Sequence, residues 1–150
     1  MNSLRILHVD DEPDIREIVE LSLGLDPEFS VRSCASGTDA LATAAAWSPD
    51  MILCDVMMPV MDGPATLARL RECLQTVNIP VVFMTARVQT RDLEHFRSLG
   101  ATGVIAKPFN PMMLANSVRN HLRSAGLAAL KDSFVGRIAG NGAAVNIEQA

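Results

Sequence analysis

Five polar residues stand where short apolar runs end: Asp10 and Asp11 after LRILHV, Asp55 after MILC, Thr85 after VVFM, and Lys107 after TGVIA. If those runs are parallel strands of one sheet, all five side chains reach the same edge, where open α/β sheets bind ligands. Three carboxylates crowded there repel one another and need a cation to stay ionised. Mg²⁺ suits them, because it prefers hard oxygen ligands and is commonly shared between one or two carboxylates and a phosphate. A turn just past Asp55 would let the backbone carbonyl of Met57 add a further oxygen. A carboxylate is also a nucleophile toward phosphorus, giving an acyl phosphate. Asp55 fits that role, since Asp10 and Asp11 share one loop and suit the metal. Lys107 would neutralise the phosphoryl oxygens, and the Thr85 hydroxyl would donate a hydrogen bond to them. Taken singly, these residues read as turns, caps or surface charges. Their coincidence at four separate segment ends is what points to chemistry.

The segments that must position them alternate regularly. Residues 4 to 9 suit a strand buried on both faces. Pro13 fits a first helical turn, Ile15, Ile18, Val19 and Leu23 follow at helical spacing, and Gly24 is placed to close the helix. A second, weaker strand is expected at 29 to 33, diluted by Ser30, Arg32 and Ser33, which suits an edge. Ser36 caps an alanine-rich helix running to Ala46. Strand three is 51 to 54, followed by a loop with Pro59, Gly63 and Pro64 and a helix face of Leu67, Leu70 and Leu74. Strand four is expected at 79 to 84 and a helix at about 90 to 99, with Leu93, Phe96 and Leu99 inward and Gly100 at its end. Strand five, at about 102 to 106, precedes Asn110 and Pro111, a cap and first-turn proline for a helix carrying Leu114, Val118 and Leu122. Five βα units imply an α/β doubly wound parallel sheet of flavodoxin-like (βα)5 type. The favoured strand order is 2-1-3-4-5, with strands one and three side by side at the switch point.

The chain has 150 residues with 49% hydrophobic, enough for one domain with its own core. Net charge is −4 without a Lys/Arg run, which argues against direct binding to nucleic acid or an anionic membrane. No apolar stretch has the length to cross a bilayer, and Arg5, His8 and Asp10 interrupt any signal-peptide core. Cys34, Cys54 and Cys73 match no metal-ligand spacing and read as reduced thiols, so a cytoplasmic location is expected. The expected division is a domain over 1–123 and a C-terminal extension over 124–150. In the extension, Leu127, Leu130, Phe134 and Ile138 suggest an extra helix before a frayed tail. Such a helix would lie on the domain or serve as a contact for a partner or a second copy.

With these motifs in place, the chain resembles the receiver domain of bacterial two-component response regulators over residues 4 to about 123. The motifs are VDDEPDIRE at 9–17, DVMMPVMDG at 55–63, MTA at 84–86 and GATGVIAKPF at 100–109. The resemblance implies that Asp55 accepts a phosphoryl group from the phosphohistidine of a sensor histidine kinase or phosphotransfer protein. It also implies Mg²⁺ on Asp11, Asp55 and the Met57 carbonyl, with Asp10 acting through water and Lys107 pairing with the phosphoryl group. Signalling would proceed through contacts with a downstream protein, not as a conventional enzyme beyond the chain's own phosphorylation and dephosphorylation. In the family, a threonine at the Thr85 position moves toward the phosphate and an aromatic three residues before the lysine turns inward. Here that aromatic position is Val104, so movement is expected to fall on Thr85 and on 86–89. Met57 and Arg87 flank the site and are placed to control water access.

Three other readings are weaker. Aspartyl-phosphate hydrolases need a second acid two residues after the nucleophile, where this chain has Met57. A dinucleotide-binding module needs glycines where this chain has DDEPD. A phosphorylation-independent adaptor would fit a broken acid site, whereas every acidic position is intact. A phosphate relay or sink remains compatible with the same residues.

Overall fold

The computed structural model describes residues 3–136, with side chains through Gly126. The elements are β1 Leu4–Val9, α1 Pro13–Gly24, β2 Phe29–Cys34, α2 Gly37–Trp47, β3 Met51–Asp55, α3 Gly63–Leu70, β4 Val81–Thr85, α4 Thr90–Ser98, β5 Gly103–Ala106 and α5 Leu114–Gly136. The five strands form one parallel sheet in the order β2-β1-β3-β4-β5. The expected topology is therefore found, with β1 and β3 adjacent at the point where the strand order reverses.

Strand alternation divides the core into two layers. Ile6, Leu53, Val82 and Ile105 pack with Val19, Leu23, Leu114 and Val118, so α1 and α5 cover one face. Leu7, Ile52, Phe83 and Val104 pack with Ala44, Trp47, Leu67, Leu70 and Phe96, so α2, α3 and α4 cover the other. β3 and β4 are buried along their whole length, which is why their sequences run apolar without alternation. Local signals set several boundaries. The Ser36 hydroxyl accepts from Asp39 N at 3.1 Å to start α2, and Asp62 Oδ1 accepts from Ala65 N at 2.8 Å to start α3. Gly100, at φ 100°, takes the left-handed conformation just past α4.

Some boundaries differ from the sequence reading. α3 stops at Leu70, leaving Leu74 outside the helix and exposed. The cause is local: the Thr76 hydroxyl donates to Leu70 O at 2.6 Å, and Arg71 Nη1 donates to Ile79 O at 2.8 Å, folding 71–79 into successive turns. Asn110 and Pro111 begin a turn, with Asn110 Oδ1 accepting from Met112 N at 3.0 Å, and α5 starts only at Leu114. Gly24 is the last helical residue of α1 without a left-handed cap; Leu25, in right-handed helical conformation, ends it. β4 begins at Val81, not 79. In place of a separate extra helix, α5 continues unbroken to Gly136. The apolar pattern at Leu127, Leu130 and Phe134 lies outside the described side chains, and Ile138 and the tail lie outside the described residues.

Candidate functional site

Asp55 is the last residue of β3 and Thr85 the last of β4, while Asp10 and Lys107 directly follow β1 and β5. The parallel register brings these ends to one edge. Lys107 Nζ lies 2.8 Å from Asp10 Oδ2 and 3.0 Å from Asp55 Oδ1, joining residues far apart in sequence. Asp10 is fully buried and Asp55 nearly so, at 0% and 7% exposure. The second Asp10 oxygen accepts from Glu12 N at 2.9 Å, an Asx-type turn that shapes the acidic loop. Asp11 stands at the open side of the cluster, and one oxygen each from Asp10, Asp11 and Asp55 lie within 4.8 Å of one another.

Thr85 and Met57 are placed differently from this cluster. The buried Thr85 hydroxyl accepts from Arg87 N at 3.0 Å, tying it to the β4–α4 loop, and makes no hydrogen bond to Asp55 or Lys107 among the described residues. Its carbonyl accepts from Lys107 N at 2.8 Å, so the backbones of the two residues are directly linked. The Met57 side chain is exposed, leaving only its backbone within the scope of the expected metal role.

Burial is the largest influence on Asp55 and raises its pKa above the usual carboxylate value. The hydrogen bond and charge of Lys107 oppose the rise, and the charges of Asp10 and Asp11 add to it. Burial alone would lower Lys107, but its bonds to Asp10 and Asp55 outweigh that and leave its pKa raised. Three carboxylates facing one ammonium leave a formal charge of −2, which one divalent cation cancels. Oxygens bound directly to the same Mg²⁺ stand at most about 4.2 Å apart. Oxygens within 4.8 Å of one another are therefore compatible with a shared ion, bound directly or with a water between one carboxylate and the metal. The donor set, all oxygen and strongly anionic, fits Mg²⁺.

The response regulator receiver domain family matches residues 6–119. The chain belongs to this family. Response regulator Rre1 of Synechocystis is 38% identical over 119 residues, covering 79% of this chain and 52% of that protein. The chemotaxis protein CheY4 of Vibrio cholerae is similar in structure, with a TM-score of 0.73 and 33% identity, covering 79% of this chain and 98% of that one. A putative response regulator from Chloroflexus aurantiacus gives a TM-score of 0.73 and 33% identity, covering 81% and 99%. The receiver spans about half the length of the curated relatives it matches first, at 52% and 56%. Among the described residues no helix is long and apolar enough to cross a membrane.

Two residues that shape the receiver site, and one buried neighbour of it, are not among those the sequence singles out. Arg16, one turn into α1, donates from Nη1 to the Asp10 carbonyl at 2.8 Å, fixing the acidic loop to the helix. Gly63 reads as a turn residue in the sequence, yet a Cβ there would lie 2.7 Å from Asp55 O and 2.9 Å from Val56 Cα. Its missing side chain lets the start of α3 close onto the end of β3, where Gly63 N donates to Val56 O at 2.9 Å. His8, two residues before Asp10, is fully buried, and desolvation lowers its pKa to about 4, so it is neutral near pH 7. A basic residue near Asp10 and a glycine before Pro64 were visible signals for the first two. Nothing in the local pattern marked His8.

Proposed function

We propose that this receiver is a phosphorylation-dependent signalling switch in which Asp55 accepts a phosphoryl group from a histidine-phosphorylated kinase or phosphotransfer protein. The observation that supports this most directly is Lys107 Nζ held between Asp10 and Asp55 at the strand-end edge. Lys107 contacts Asp55 Oδ1, which leaves Oδ2 to attack phosphorus, forming the O–P bond as the donor's N–P bond breaks. The ammonium then stands beside the oxygens of the transferred group and offsets their charge. Asp10, Asp11, Asp55 and the Met57 carbonyl would hold Mg²⁺, which when bound neutralises charge on the transferring group. Thr85, whose hydroxyl accepts from Arg87 N, has its own O–H free to turn toward a phosphoryl oxygen and donate to it. Beside Lys107, a groove of about 410 Å³ runs between α1 and the β5–α5 loop, lined by Ile15, Ile18, Pro108 and Phe109. An apolar groove adjoining the acceptor suits docking of the donor protein.

Under this reading residues 1–123 form the receiver and 124–150 an extension, the protein acts in the cytoplasm, and its output passes through protein contacts. Incubation with acetyl phosphate and Mg²⁺ should raise the intact mass by one phosphate, and the Asp55→Asn variant should show no gain. An unmodified parent protein under these conditions would overturn the proposal.

A further inference from the structure

Beneath the acid pocket lies a second polar group that phosphoryl chemistry does not use. His8 on β1 is fully buried, and its register partner on the edge strand β2 is Ser33. Ile6 and Val31, two residues earlier on each strand, both face the layer of α1 and α5, so His8 and Ser33 point to that same face. Across β1 the other neighbour of His8 is Leu53, which is apolar and offers the ring no partner. Both ring nitrogens of His8 and the Ser33 hydroxyl are shielded from solvent and make no hydrogen bond among the described residues.

Buried polar atoms left in that condition are strongly unfavourable, and side-by-side placement of a neutral imidazole and a hydroxyl is chemically complementary. The ring carries one N–H and one lone pair, and the hydroxyl can donate and accept. Neighbouring strands lie about 4.8 Å apart, and one water bonded to both groups spans polar atoms up to about 5.5 Å apart.

We propose that His8 and Ser33 hold an ordered water between them, a buried hydration site that clasps the edge strand β2 to β1 directly below the acidic loop. The water satisfies the hydroxyl and the nearer ring nitrogen. The clasp also gives a role to Ser33, one of the polar residues that weaken this strand's own propensity, on the face toward α1 and α5.

Proton NMR of the full chain, with ¹⁵N-labelled histidine, tests the site. The His8 ring should show cross-relaxation to a water that exchanges slowly, and Ser33→Ala should abolish that signal while acetyl phosphate still labels Asp55. Thermal unfolding of a double-mutant cycle provides the second readout. Ser33→Ala and His8→Leu should each lower the midpoint by about 2–8 °C. The double variant should lose clearly less than the sum of the two. Absence of any water contact at His8, a direct bond between the ring and Ser33 Oγ, or strict additivity would each overturn the proposal. If His8→Leu fails to fold, the Ser33→Ala spectrum alone decides.

Discussion

Replacing Asp55 by Asn should make the metal-free protein more stable, because the acid pocket is assembled against its own repulsion. At 4.8 Å, the upper limit of their spacing, two such charges repel by about 3.5 kcal/mol at an effective dielectric near 20, so Asp10 and Asp11 together oppose an ionised Asp55 by about 7 kcal/mol before the solvent exposure of Asp11 reduces its share. Lys107 at 3.0 Å returns about 5.5 kcal/mol by the same rule. The charges therefore come close to cancelling, and burial, the largest influence on Asp55, tips the balance against its ionised form by a net penalty on the order of 1.5 kcal/mol. Asp55→Asn should therefore melt about 3–6 °C above the parent in EDTA at low ionic strength and pH 7. The pH dependence has a definite sign. Burial raises the native pKa of Asp55 above its reference of 3.8, so the native state holds a proton where the unfolded chain does not. The penalty is absent below that reference, grows as pH rises through the window up to the raised value, and is complete above it. Added Mg²⁺ should stabilise the parent more than the variant and narrow the gap. Equal or lower stability of Asp55→Asn in EDTA, or a gap that widens with Mg²⁺, would refute the electrostatic account.

Lys107→Met leaves buried Asp10 facing Asp55 without its cation and should cost about 2–4 kcal/mol in EDTA, measured by urea unfolding. Part of that loss should return with Mg²⁺, and an unchanged unfolding midpoint would count against the bridging role. Because the native pKa of Lys107 is raised, its contribution is fully present below pH 10.5 and disappears as pH rises through the native value. Gly63→Ala places a Cβ against the Asp55 carbonyl and the Val56 backbone, so α3 must shift; a loss of about 2–3 kcal/mol and slower acetyl phosphate labelling are expected, and parent-like behaviour in both would contradict the close approach. Beryllofluoride, a phosphate mimic, should displace the amide resonances of residues 85–89 far more than those of 103–106; unchanged shifts in 85–89 would exclude a Thr85-centred movement.

Four strand ends were legible because each is marked twice, by an apolar run and by the polar residue that stops it. Those four marks, with the weaker run at 29 to 33, also carried the topology, since parallel crossovers allow few alternatives. Elements decided by competition for a few backbone groups were not legible. Leu67, Leu70 and Leu74 do keep helical spacing, but the Thr76 hydroxyl claims the Leu70 carbonyl and the helix ends there. Asn110 and Pro111 carry a helix-start signature that is used for a turn three residues earlier than α5. The role of Gly63 depends on how closely α3 approaches β3, a distance that no local pattern encodes. His8 reads as a break in an apolar run, and only the sheet register reveals that its neighbour is Ser33.

Alternation along the strands also explains how a group on Asp55 would be felt elsewhere. Asp10, Asp55 and Lys107 continue the rows of Ile6, Leu53 and Ile105, which face α1 and α5. Thr85 continues the row of Val81 and Phe83, which faces α2, α3 and α4. Under the proposed function, a phosphoryl group built on one row must draw in a hydroxyl rooted in the other, so the two helical layers become coupled at the sheet edge. That hydroxyl is already the acceptor for Arg87 N and keeps its own proton to donate, so drawing it toward the phosphoryl group pulls on the β4–α4 loop through that bond. Val104 has little part in such a movement, being 1% exposed in the cluster that contains Phe83 and Phe96. The change is thereby directed into the loop carrying Arg87 and Gln89 and the first turn of α4. A downstream protein able to distinguish the two states would read that surface, and substitutions at Arg87 should alter its binding without disturbing the acid cluster behind it.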